Sequence, residues 1–131
     1  MGYLEVDSYQ KIIEIVGKIN SIENKFQYDK FIEGISNPND ITTITFVNAH
    51  AINLLYKNTQ FFQALDESTF VLRDGVGIEI LMKSLKFRPG LNMNGTDFIP
   101  ELISNILNRK SLAIYVSANL SGEARANQAL A

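Results

Sequence analysis

Residues 69–97 read TFVLRDGVGIEILMKSLKFRPGLNMNGTD, and their order decides the fold. A β-branched and aromatic run, Thr69-Phe70-Val71-Leu72, breaks at Arg73-Asp74-Gly75 and gives way to helical apolar spacing at Ile78, Leu81 and Met82. The pattern predicts a strand, a tight turn that carries an acid, and a helix. In open α/β sheets the carboxyl ends of parallel strands and the amino ends of the following helices face one crevice, and ligands bind there. Gly95-Thr96-Asp97 starts another helix, so a second helix amino end with small, polar residues is expected beside the first.

Upstream, residues 42–47 (TTITFV) form a nearly continuous apolar and threonine run, as expected of a strand buried on both faces of a parallel sheet. It ends at Asn48. A helix is predicted through Ala51, Ile52, Leu54, Leu55 and Tyr56, and another from Thr59 with Phe61, Phe62 and Leu65. Further back, residues 3–6 predict a short strand, and Asp7 with Gln10 a capping box for a helix carrying Ile12, Ile13, Ile15, Val16 and Ile19. Residues 22–35 predict a poorer helix, stopped by the turn formers and proline of residues 36–40.

Downstream, Pro89 and Gly90 make residues 86–94 an irregular loop open to movement. Asp97 or Thr96 is expected to cap a helix running to about Asn108, with Pro100 tolerated in its first turn. Residues 111–117 (SLAIYVS) predict a last strand, and Ser121 or Gly122 opens a final helix. Alternating strands and helices imply one α/β domain over residues 1–131, a Rossmann-like, mostly parallel sheet with helices on both faces. A chain that stops just inside a helix is expected to be the amino-terminal part of a longer domain.

The composition narrows the function. With 131 residues, 46% hydrophobic and 20% charged, the chain has the makings of one ordinary globular core. Twelve basic against fourteen acidic residues give a net charge of −2, so no global field draws it to nucleic acid. The absence of cysteine removes disulfides, thiolate metal sites and thiol catalysis, and a single histidine rules out a multi-histidine metal site within the chain. No apolar run approaches the roughly 20 residues that span a bilayer, and the first residues lack signal-peptide architecture. A cytoplasmic protein is expected.

Asp74 is the strongest candidate for chemistry. Its side chain can form an Asx-turn or a helix cap, or it can act as a general base at a strand end where glycines let a substrate approach. Gly75-Val76-Gly77 can also be read as an incomplete dinucleotide fingerprint, with Ile80 where the third glycine belongs. Asn48 suits a helix cap or a binding site, and His50 a hydrogen-bonded packing residue or a substrate contact. Gly95, Thr96 and Asp97 suit a loop glycine and a cap, or a phosphate or sugar contact aided by the helix dipole.

Val47-Asn48-Ala49-His50, Asp74-Gly75-Val76-Gly77 and Gly95-Thr96-Asp97, in that order, resemble motifs of the WecG/TagA/CpsF family of bacterial glycosyltransferases, over about residues 43–107. The resemblance implies an inverting hexosyltransferase. It would move a hexose such as N-acetylmannosamine from a UDP-sugar donor to a polyprenyl-diphosphate-linked acceptor, in making cell wall, capsule or exopolysaccharide. Asp74 would be the catalytic base. Asn48, His50, Gly75, Gly77, Gly95, Thr96 and Asp97 would line the substrate pocket, with no cofactor and no metal.

Members commonly carry an arginine three residues before the GTD-like glycine, where this chain has Asn92, and glycines where residues 117–122 read SANLSG. The nearest basic residues to Asn92 in the loop are Arg88 and Lys86. In the family, peripheral attachment to the inner face of the membrane and part of the active site are attributed to a carboxyl-terminal segment, which is expected to lie beyond residue 131. Two readings of another class remain beside the enzyme: a non-catalytic fragment or nucleotide-sugar-binding module of the same fold, and a dinucleotide-binding domain. The sequence leaves a homo-oligomer open.

Overall fold

The computed structural model describes residues 2–55 and 57–108. Within them the order is α1 (Gly2–Lys18), α2 (Lys25–Ile35), β1 (Ile44–Val47), α3 (Ala49–Leu55), α4 (Thr59–Glu67), β2 (Phe70–Arg73), α5 (Val76–Ser84) and α6 (Gly95–Leu107). The expected strand at 111–117, the 117–122 turn and the final helix lie outside the described residues.

Residues 3–6 belong to α1, not to a strand, and the helix begins before Asp7. Four residues do not fix a hydrophobic period, and a helix satisfies its amides locally where a strand there would need a neighbour. The second helix is shorter than residues 22–35. It begins where the Asn24 side chain accepts the Gln27 amide at 2.9 Å, and it ends at Ser36, whose amide reaches Ile32 O.

β1 and β2 run parallel, with Ile44 opposite Phe70 and Val47 opposite Arg73. Thr43 and Thr69 join the strands where they begin. The Thr43 amide donates to Thr69 Oγ1 at 3.1 Å, and the Thr69 amide donates to Thr43 Oγ1 at 2.9 Å. On the outer edge of β2, Asn20 imitates a third strand, donating its amide to Val71 O at 2.8 Å and accepting the Val71 amide on Oδ1 at 3.0 Å.

Side chains alternate across the pleat, so the two strands feed two cores. On one face Val47 and Val71 pack with Ile12, Ile15 and Val16 of α1, Ala51, Ile52 and Leu55 of α3, Leu65 of α4, and Ile78 and Met82 of α5. On the other, Leu72, with the half-buried Ile44, Phe46 and Phe70, meets Ile32 and Ile35 of α2 and Phe98 of α6. Each such apolar side chain contributes about 1.5–3 kcal/mol on full burial. Phe98 anchors the second core, with the rings of Phe31, Phe46 and Tyr28 at 5.9, 6.0 and 6.2 Å. Helices therefore cover both faces of a parallel sheet, the α/β arrangement expected.

The cap of α6 differs from expectation. Asn94, rather than Thr96 or Asp97, is the cap: its Oδ1 accepts the Asp97 amide at 2.9 Å, and its Nδ2 donates to Asp97 Oδ2 at 3.0 Å. Asparagine caps as well as aspartate does, and a residue three positions before Asp97 turns that acid into the reciprocal partner. With the start moved back, Pro100 falls in the second turn, where its missing amide leaves the Thr96 carbonyl without its usual helical donor.

Candidate functional site

Three chain segments meet at the carboxyl end of the sheet. β1 ends at Val47, whose carbonyl accepts the Asp74 amide at 2.9 Å, so the turns after the two strands leave side by side. Asn48 Oδ1 then accepts the Ala51 amide at 2.9 Å and opens α3. A Cβ built on Gly77 would stand 3.0 Å from Cβ of Ala49, so the first turns of α3 and α5 touch, and glycine permits that approach. The third segment is the loop before α6. Its Met93 amide donates to Arg73 O at 2.9 Å, and Gly95 lies against the Phe46 ring.

Gly75 adopts φ +102°, a left-handed conformation that a side chain disfavours. It precedes α5 and offers no side-chain cap, so the first amides of that helix have no side-chain acceptor at the cap. Asn92 Oδ1 accepts the Gly75 amide at 2.8 Å. The loop expected to be open to movement is thus irregular but tied down: Leu91 N reaches Ile22 O at 2.7 Å, Phe87 N reaches Met82 O at 2.8 Å, and Ser21 Oγ donates to Arg88 O.

Asp74 sits half-buried at the junction of these segments, and among the described residues no donor or cation meets its carboxylate. His50 and Thr96 are exposed on the same rim. The carboxylate of Asp97 is engaged by Asn94, and the side-chain oxygen of Asn48 is engaged as a cap, which leaves the Asn48 amide nitrogen for a ligand. Among the described residues no three histidine or carboxylate side chains gather as metal ligands.

The profile of the glycosyl transferase WecG/TagA/CpsF family matches residues 14–130. The chain belongs to this family. Neither curated proteins nor solved structures give a match. The class of reaction is accordingly glycosyl transfer in cell-surface polysaccharide synthesis, and the family's substrates are a nucleotide-sugar donor and a lipid-linked acceptor.

In this WecG/TagA/CpsF glycosyl transferase the rim presents a half-buried carboxylate with no protein donor among the described residues, a helix start with no side-chain cap, and glycines beside both. The structure brings together Asn48, Asp74, Gly75, Gly77 and Gly95, and it places His50, Thr96 and Asp97 on the surrounding surface. A recess of about 720 Å³ lies at the opposite end of the sheet, lined by residues such as Lys30, Phe31, Ile35, Asp40 and Phe70. Neither the Asp74-Gly75 turn nor the Gly95 turn reaches it.

Sequence reasoning missed Arg73 and the role of Asn92. Arg73 is 4% exposed and ends the buried strand β2. The signal was a charge directly after a buried-type run, where it reads as the start of the turn although the strand includes it. Asn92 carried none, since its partner is a backbone amide 17 residues away. Among the described residues no helix is long and apolar enough to cross a membrane.

Proposed function

We propose that this chain transfers a hexose, such as N-acetylmannosamine, from a UDP-sugar to a polyprenyl-diphosphate-linked sugar, with inversion at the anomeric carbon. Asp74 accepts the proton of the acceptor hydroxyl as its oxygen bonds to the anomeric carbon, and the bond from that carbon to the diphosphate breaks, releasing UDP with the electron pair. Gly75 and Gly77 let the donor approach the first turn of α5, whose amides face the diphosphate. Asn48 and His50 from one side, and Gly95, Thr96 and Asp97 from the other, contact the sugars. The observation that carries this reading is the Asp74 carboxylate, half-buried among three converging turns with no protein donor of its own among the described residues.

The test is turnover of a panel of UDP-sugars with a synthetic lipid-diphosphate acceptor. Turnover lost in a folded Asp74→Asn variant supports the base; turnover retained there excludes it. One observation favours a second reading, a nucleotide-sugar-binding module without turnover. Asn92 stands where relatives commonly hold an arginine, and its side-chain oxygen is taken by the Gly75 amide. Binding of UDP-sugar by a chain that never releases UDP would select that reading.

A further inference from the structure

Arg73 is a buried cation with no carboxylate in ion-pair range among the described residues. Its guanidinium is spread over backbone carbonyls instead: Nε donates to Pro89 O at 3.2 Å, Nη1 to Gly75 O at 2.9 Å and Nη2 to Gly90 O at 2.8 Å. Buried charges are ordinarily paired with a counter-charge, because desolvating one is unfavourable; here the three offsetting bonds tie one turn to one loop instead. Where a sequence departs from that rule, a functional or strained site is the usual setting.

We propose that Arg73 is a positioning residue for the transfer reaction, locking the Asp74–Gly75 turn to the loop that leads to Gly95, Thr96 and Asp97. The bonding pattern supports this directly. The carbonyl of Gly75 is held by Arg73 and its amide by Asn92 at 2.8 Å, while the Asp74 amide is held by Val47 O at 2.9 Å. Three successive peptide planes are thereby fixed, and with them the direction in which the Asp74 side chain leaves the backbone. The Met93 amide on Arg73 O closes the same clamp from the loop side. Lysine cannot reproduce it, because one ammonium lacks the planar spread of donors that reaches three carbonyls. Misplacing a catalytic group by about 1 Å can cost on the order of 100-fold in rate.

This inference rests on the reading of Asp74 as base, and the experiment separates the two. Arg73→Lys and Arg73→Met are compared with the unaltered chain in steady-state transfer and in amide hydrogen exchange at Gly75 and Met93. The expected result is a kcat about 10- to 100-fold lower in both variants, a KM for the UDP-sugar changed by less than about 2-fold, and faster exchange at both amides. Arg73→Met strips three carbonyls of their donor and is expected to lower the melting temperature, so positioning is read from Arg73→Lys, which keeps the charge and is expected to stay folded. An undiminished kcat in Arg73→Lys, or a loss carried wholly by KM, overturns the proposal while leaving Asp74 as base. Unaltered exchange at Gly75 and Met93 in a folded variant overturns the clamp whatever the activity. No turnover by the unaltered chain removes the base and the proposal together.

Discussion

The two ends of β2 use polar groups in opposite ways. At the amino end, hydroxyls answer hydroxyls and backbone: Thr43 and Thr69 exchange bonds, and Thr45 Oγ1 meets Ser68 Oγ at 2.5 Å. Each group there has a protein partner, and the recess beside it adjoins apolar side chains such as Phe31 and Phe70. At the carboxyl end a guanidinium is buried without a carboxylate, a glycine holds φ +102°, and one acid has no protein partner among the described residues. Satisfied polar groups stabilise; the unmatched acid is the one with capacity left for a substrate. The recess near Phe31 and Phe70 adjoins satisfied groups while the unmatched acid lies at the other end, so concavity and capacity for a ligand must be judged separately.

The strongest way to break this contrast is to remove one carboxylate. Asp74→Asn is expected to lower kcat by about 10²- to 10⁴-fold, the range of a general base, with stability within about 0.5 kcal/mol of the parent. Steady-state transfer and denaturant unfolding measure the two quantities. A variant with full activity would show that the two ends do not differ in the way described.

The next effect sharpens the contrast through backbone alone. Gly90 combines φ +65° with a site where a Cβ would lie 2.7 Å from the carbonyl oxygen of Ile22. Gly90→Ala is expected to destabilise by about 3 kcal/mol, summing left-handed strain and overlap with rigid backbone. Gly34 lies in α2 near the opposite recess, and a Cβ there meets nothing within 4 Å. Gly34→Ala is expected to stabilise by about 0.5–1 kcal/mol. Equal responses at the two glycines in chemical denaturation would refute the account of the loop as pinned. Thr69→Val, which removes the hydroxyl staple at the amino end, is expected to cost about 1 kcal/mol and leave kcat unchanged.

Much of this was legible in the sequence, and the reasons differ by element. The 42–47 and 69–72 runs announced the strands Ile44–Val47 and Phe70–Arg73 through their β-branched and aromatic residues, although in β1 only Val47 is fully buried. The helices after Asp74 and around Phe98 followed from their period. Residues 3–6 misled because so short a stretch has no period to read, and the α6 cap slipped because Asn94, Thr96 and Asp97 are all competent caps. Of the site, Asp74 and its glycines were visible as local turn chemistry. The bonds from Arg73 to Pro89 and Gly90, and from Asn92 to Gly75, join residues 16 or 17 positions apart, and local patterns hold no record of them.

The smallest predicted effect lies away from both ends, between α2 and α6, and tests whether charge outside the site matters to the fold. Tyr28 donates its phenol to Glu101 Oε2 at 2.5 Å. Burial first, then that bond and the charges of Glu101, Asp29 and Asp97, push the phenol's pKa above its ordinary value of about 10. A raised pKa means the folded chain holds this proton more tightly than the unfolded chain does. The stabilisation is therefore whole below about pH 10 and declines as pH climbs beyond it. Tyr28→Phe removes the titration along with the bond. It is expected to be slightly less stable at neutral pH and to lose stability less steeply between about pH 10 and 11. Denaturant midpoints taken across that interval give the comparison, and parallel slopes in the two proteins would mean that Tyr28 keeps its ordinary acidity in the fold.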